Sequence, residues 1–250
     1  MVILISPAKT LDWSDSNVDL FTRPDFKKEI RELVSLMRKK DPSEIRELMH
    51  VSENLATLNH ERYQRFQEEF SMGNSKQALL AFKGDVYTKI DVENYGEADF
   101  DFAQSHLRIL SGLYGLLRPM DLIQPYRLEM GVKLRNNKAK DLYGFWGQKI
   151  AQAINDAAKG QEIVNLASQE YFKAVDRESL HSRVVTPTFK EYRDGTYKVI
   201  GLFAKQARGL MTDFVIKNRL TDVEQLKTFQ AERYEYSEPL STEDEWVFVR

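Results

Sequence analysis

Ala103–Arg135, AQSHLRILSGLYGLLRPMDLIQPYRLEMGVKLR, holds the densest set of structural signals in the chain. Phe102, His106, Ile109 and Leu110 recur at three- and four-residue steps, which predicts one apolar face of a helix. Gly112 is the expected stop, because glycine takes a left-handed C-cap without a Cβ penalty. Gly115 follows three residues later, so the turn Ser111-Gly112-Leu113-Tyr114-Gly115 is short and expected to leave its amides open. Pro119 suits a first helical position, and a second short helix is expected through Ile123, ended by Pro125. Two helices joined by a glycine turn present free amides to an anion. Arg108, Arg118 and Arg127 frame this corner. Taken by itself, a Gly-x-x-Gly corner is more often plain packing.

The corner resembles the helix-hairpin-helix element of DNA-repair proteins, about residues 103–124, although its glycines are three apart and Pro119 interrupts the second helix. LSGLYGLLRP, QPYRLEMG, the opening LISPAKTLD, AFKGDVY and NLASQEYF, taken in order, are similar to the YaaA family of bacterial peroxide-stress proteins. That resemblance runs from Met1 to about Phe248. It implies a single compact mixed α/β (α+β) domain over 1–250, with a mixed sheet, surrounding helices and a basic cleft holding the hairpin. It also implies a cytoplasmic protein that binds DNA in oxidative (peroxide) stress, with no enzymatic reaction firmly attached.

Composition sets independent bounds. The 250 residues are enough to bury a real core as one large or two small domains. Hydrophobic content of 42% beside charged content of 30% is that of an ordinary globular chain. No apolar run approaches the length needed to span a bilayer, and MVILISPAKT lacks the basic lead of a secretory signal. Zero cysteines exclude a disulfide framework, a thiolate metal site and a thiol peroxide sensor. The formal charge of −2 argues against a uniformly basic coat. Its distribution is uneven: residues 103–150 carry eight Lys or Arg against three acids, and residues 190–219 seven against three. Residues 231–250 carry six acids against two Arg. One basic face would account for this, as would two solvated surfaces that never meet.

Val2–Ile5 reads as a buried strand, which places Lys9 just past its carboxyl end, where α/β sheets commonly carry ligand groups. Lys9 is there either a phosphate contact or nucleophile, or a solvated loop lysine. Helices are expected over Pro24–Lys39, from Asp41-Pro42 to about His50, and from Ser52 to about Phe70. His50 and His60 lack partners at metal-ligand spacing and read as surface or capping residues. Lys83, in a block broken at Gly84, reads as a cleft residue or as part of a packed turn. No P-loop or dinucleotide fingerprint occurs. Asp141–Ala158 is expected as one helix, followed by a strand Glu162–Leu166 whose end bears Ser168 and Glu170. Asp194-Gly195 marks a hairpin. Lys205 and Arg208 are neighbours on a basic helix over Ala204–Leu220, either a phosphate-binding wall or a solvated face.

Three functions compete on this reading. The first is sequence-independent binding of double-stranded DNA, distorted or branched forms included, by a monomer without cofactor, metal or membrane. Its residues would be Arg108, Ser111, Gly112, Tyr114, Gly115, Arg118, Arg127, Lys83, Lys205 and Arg208. The second is an enzyme acting on a nucleobase or nucleotide, with Lys9, Ser168 and Glu170 as catalytic groups. The third is a protein limiting reactive iron, against which stand four scattered histidines and no paired metal-ligand spacing. Binding is favoured over catalysis.

Overall fold

A computed structural model describes Met1–Arg250. The chain opens with β1 (Val2–Ile5), whose four apolar residues are all buried, followed by the short β2 (Thr10–Leu11). Three helices follow: α1 (Lys27–Arg38), α2 (Pro42–Met49) and α3 (Glu53–Arg65). The expected caps operate here. Asp41 closes a capping box with Glu44 at the start of α2, and the Ser52 hydroxyl accepts from the Leu55 amide at the start of α3. His50, in left-handed conformation, ends α2.

A run of short pieces comes next: β3 (Lys76–Gln77), α4 (Ala78–Ala81) and β4 (Phe82–Lys83). The helix α5 (Glu97–His106) then leads directly into β5 (Leu107–Ser111), β6 (Gly115–Leu117) and β7 (Leu122–Ile123). The helix expected over Asp141–Ala158 is two, α6 (Leu142–Trp146) and α7 (Lys149–Ala158), broken where Gly147 takes a positive φ of 48°. The remainder is β8 (Ile163–Asn165), α8 (Gln169–Phe172), β9 (Val184–Arg193), β10 (Thr196–Lys198), α9 (Gly201–Asn218), β11 (Glu235–Tyr236) and β12 (Glu245–Val249).

One mixed sheet organises these elements, in the order β11-β12-β9-β8-β1-β5-β6, with β10 paired to β9. The five inner strands from β12 to β5 are parallel, and β6, β10 and β11 are antiparallel additions. β1 lies between β5 and β8, Ile3 facing Leu107 on one side and Val164 on the other. A single cluster of buried side chains runs from Met1 to Phe248. The mixed α/β class is therefore as expected.

The expected helix-hairpin-helix at 103–124 is not there. Helix α5 ends at His106, and Leu107–Ser111 pairs with β1 while its other edge takes β6 in an antiparallel turn. The apolar spacing of Ile109 and Leu110 fits a strand buried on both faces as well as a helix, and sheet pairing decides between them. The Pro119 segment forms a turn and the two-residue β7 instead of a second helix. Gly115, not Gly112, has the left-handed backbone, with φ of 71°.

Gly112 is required for another reason: a Cβ there would overlap the Leu128 carbonyl. Gly112→Ala should therefore lower stability by about 1–3 kcal/mol through overpacking, read as a lower urea midpoint. An unchanged midpoint would show that Leu128 moves aside freely.

Candidate active site and nucleic-acid surface

The parallel strands bring their carboxyl ends to one edge, and the direction of strand addition reverses at β1. Such a switch point leaves a crevice where α/β sheets hold ligands. Ser6, Pro7, Ala8 and Lys9 follow β1 into that crevice, and Ala167 and Ser168 follow β8. The Ser6 hydroxyl accepts from the Ser168 amide at 2.9 Å and lies 3.3 Å from the Ser168 hydroxyl. Tyr87 donates to the Ser6 carbonyl at 2.9 Å.

The loop 126–131 lies over this edge. Lys9 Nζ is 3.3 Å from Glu129 Oε1, which also accepts from Arg127 Nη2 at 2.7 Å and Nε at 3.1 Å. Glu129 Oε2 is buried and has no hydrogen-bond partner. Pro7, Ala8, Lys9, Tyr126, Arg127 and Glu129 wall a narrow pocket, together with Leu128 and Tyr171. Burial raises the Tyr171 phenol well above its ordinary pKa, so it remains a neutral ring. Tyr126 shares a 2.7 Å hydrogen bond with the Ser111 hydroxyl.

Lys9, Ser168 and Glu170 thus reach the same edge, but not as one constellation. Glu170 Oε1 accepts from the Gly131 amide at 3.0 Å, Ser168 pairs with Ser6, and Lys9 pairs with Glu129. The sequence reading missed Ser6, Tyr126 and Glu129 as site groups. QPYRLEMG contained the last two, and nothing in its spacing says that it crosses strands lying elsewhere in the chain.

The residues expected to bind DNA at 108–127 are mostly interior or neutralised. Ser111, Gly112, Tyr114 and Gly115 are buried, and Ser111 accepts from the Tyr114 amide. Arg108 donates to the carbonyls of Gln104 and Leu107. Arg118 grips Asp121 through Nε and Nη2, and also reaches the Arg23 carbonyl and Asp25. Lys83 pairs with Asp12 at 2.8 Å and holds that carboxyl well below its usual pKa. Lys205 pairs with Asp85 at 3.4 Å. Arg208 alone of the set has no acceptor; its Nε is buried and desolvation lowers its pKa.

Elsewhere, α2 and α3 pack against each other and are joined by the short connection His50–Ser52. The residues that open α3, Glu53 and Asn54, are exposed. Beside the last turns of α3 runs a groove of about 260 Å³, lined by Trp13, Leu58, Arg62, Arg65, Gln67 and Asn74 among others. Trp13 and Leu58 are exposed there. Arg62 is desolvated enough to lower its pKa and forms no ion pair, donating to Asn59 Oδ1 at 3.2 Å, while Glu61 lines the same groove. Both helices were legible from their caps. No group of three His, Asp or Glu is placed to hold a metal ion, and no helix is long and apolar enough to cross a membrane.

The geometry defines a mixed α/β protein with a charged crevice at its sheet edge and a separate helical groove. The model of the family described as peroxide stress protein YaaA matches residues 1–240, and the chain belongs to that family. It is 52% identical over 251 residues to a UPF0246 protein of Acaryochloris marina, covering all of both chains. It is 48% identical over 254 residues to a UPF0246 protein of Saccharophagus degradans, covering 100% of this chain and 99% of that one.

Arg118 serves as a structural test of the corner. Asp121 is 1% exposed, so Arg118→Ala removes the guanidinium from a buried carboxylate that keeps only Thr22 and a backbone amide. We expect a loss of about 2 kcal/mol in chemical denaturation. A variant of native stability would show that the Arg118–Asp121 contact is not structural.

Proposed function

We propose that this peroxide-stress protein works by binding DNA, and that the nucleic acid lies along α3 instead of the 103–124 corner. The observation that carries the reading is the groove beside α3, where an exposed Trp13 ring shares the walls with Arg62 and Arg65. Aromatic faces stack on bases of any identity, and arginines hold phosphates without reading sequence. The start of α3, with Glu53 and Asn54 exposed, adds a helix N-terminus where the dipole favours a phosphate. Arg65 is well exposed and only loosely held by Glu61 at 3.4 Å, so it can turn toward a polyanion. A groove of this size takes a single unpaired base more readily than a duplex edge, which suits distorted or bulged DNA.

The test is fluorescence anisotropy on a labelled duplex, with and without a one-nucleotide bulge, across a salt series. Wild-type affinity should fall steeply with salt on both. Trp13→Ala should weaken the bulged DNA by about tenfold or more, the effect of one lost stacking contact, and the plain duplex less. Arg65→Ala should weaken all sequences alike and reduce the salt slope by roughly one. Salt-independent binding, or variants that bind as wild type, would overturn the assignment to α3.

A further inference from the structure

The aromatic wall of the α3 groove comes from a segment with no regular structure of its own, and one buried side chain holds it. We propose, on the reading of this groove as the nucleic-acid site, that Lys76 is its positioning residue. The Lys76 amine pins the carbonyls of the residues on either side of Trp13, so that the indole stands in the wall before an unpaired base arrives.

Trp13 follows β2 in an irregular stretch that is attached firmly at two points. The first is Asp12, whose amide donates to the Ala81 carbonyl at 2.7 Å and whose carboxylate accepts from Lys83 and from the Ser14 amide, each at 2.8 Å. The second is Val18 with Leu20, whose carbonyls accept from Gln77 Nε2 at 2.7 and 3.0 Å. Between these points, residues 13–17 receive one hydrogen bond from outside 12–18, and Lys76 makes it. Its Nζ donates to the Ser14 carbonyl at 2.7 Å and to the Asp12 carbonyl at 3.1 Å. The two acceptors bracket Trp13.

The base of Lys76 is as rigid as its tip is well placed. It lies on β3 opposite Ile123 of β7, and β7 runs on into Gln124 and Pro125, which line the groove, as does Asn74 just before β3. The amine that holds Trp13 and other residues of the groove wall therefore share one support. Lys76 is 9% exposed and forms no ion pair; burial lowers its pKa, with Asp12 and Asp15 opposing. Burying an ammonium whose hydrogen-bond partners are neutral carbonyls costs free energy that an apolar side chain of the same length would not. What the lysine supplies in return is order at Trp13. An indole already fixed in place has less freedom to lose when a base stacks on it, so its positioning raises affinity without adding a contact to the ligand.

The experiment uses Lys76→Met in the full chain, which removes the amine and keeps the length. Trp146 and Trp246 are buried and Trp13 is exposed, so the fast phase of tryptophan fluorescence anisotropy decay, with Trp13→Phe as the blank, reports on Trp13 without DNA. That phase should grow by about twofold or more in Lys76→Met, while the urea midpoint stays near wild type. The bulged duplex should bind about three- to tenfold more weakly, the effect of one side chain that must be ordered on binding. The plain duplex should bind as before, and the salt slope should not change, because Lys76 meets no phosphate. On a Trp13→Ala background Lys76→Met should cost nothing further, since it acts through that ring. A Trp13 decay unchanged by Lys76→Met, a loss that adds to that of Trp13→Ala, or a reduced salt slope would overturn the proposal. If Lys76→Met does not fold, Lys76→Gln, too short to span both carbonyls, is read in the same way. Trp13→Ala binding the bulge as wild type does would instead overturn the groove reading, and the decay of Trp13 would still decide what Lys76 holds.

Discussion

The close approach of Gly112 to the Leu128 carbonyl sets the position of everything at the sheet edge. It joins the β5–β6 turn to the loop 126–131 with no room for a side chain between them. Trp146 Nε1 donates to the Gly112 carbonyl at 3.0 Å, and Tyr63 donates to the Arg127 carbonyl at 2.9 Å. The loop is thus clamped from the sheet on one side and from α3 on the other. Arg127 and Glu129 project from a support that is itself over-determined, as a preorganised charged group requires. The same clamp closes the glycine turn to any external anion.

The sequence reading and the structure part company at this clamp. Val2–Ile5, the capped helices α2 and α3, and the Asp194-Gly195 hairpin were legible because each is decided within a few residues of itself. Leu107–Ser111 was not, since its identity as a strand comes from pairing with residues about a hundred positions earlier. The crevice was half legible. Lys9 and Ser168 follow recognisable strands, so their common edge could be expected from a parallel sheet. Their actual partners, Glu129 and Ser6, depend on which loops cross that edge, and no local pattern encodes this.

Charge clustered along the chain does not stay clustered in the fold, for a related reason. The excess of cations over 103–150 meets carboxylates from other segments: Lys149 pairs with Glu29, Lys138 with Glu32, and Arg118 with Asp25 as well as Asp121. Lys217 and Arg219 are answered in the same way by Asp91 and Asp99. Tertiary neighbours therefore dissolve much of the sequence-local charge. The arginines of α3, in a stretch with no net basic excess to draw notice, face a groove, Arg65 beside its own-helix partner Glu61 and Arg62 with no ion pair.

The central position of β1 also orders events during synthesis. Its partners are β5 and β8, so β1 gains neither hydrogen-bonded neighbour until residues near 107 and 163 have emerged. At roughly 5–20 residues per second this leaves VILI, a short uncharged run with high strand propensity, unpaired for several seconds or longer. Loop closure over such separations is slow, and unpaired strand edges invite association between chains.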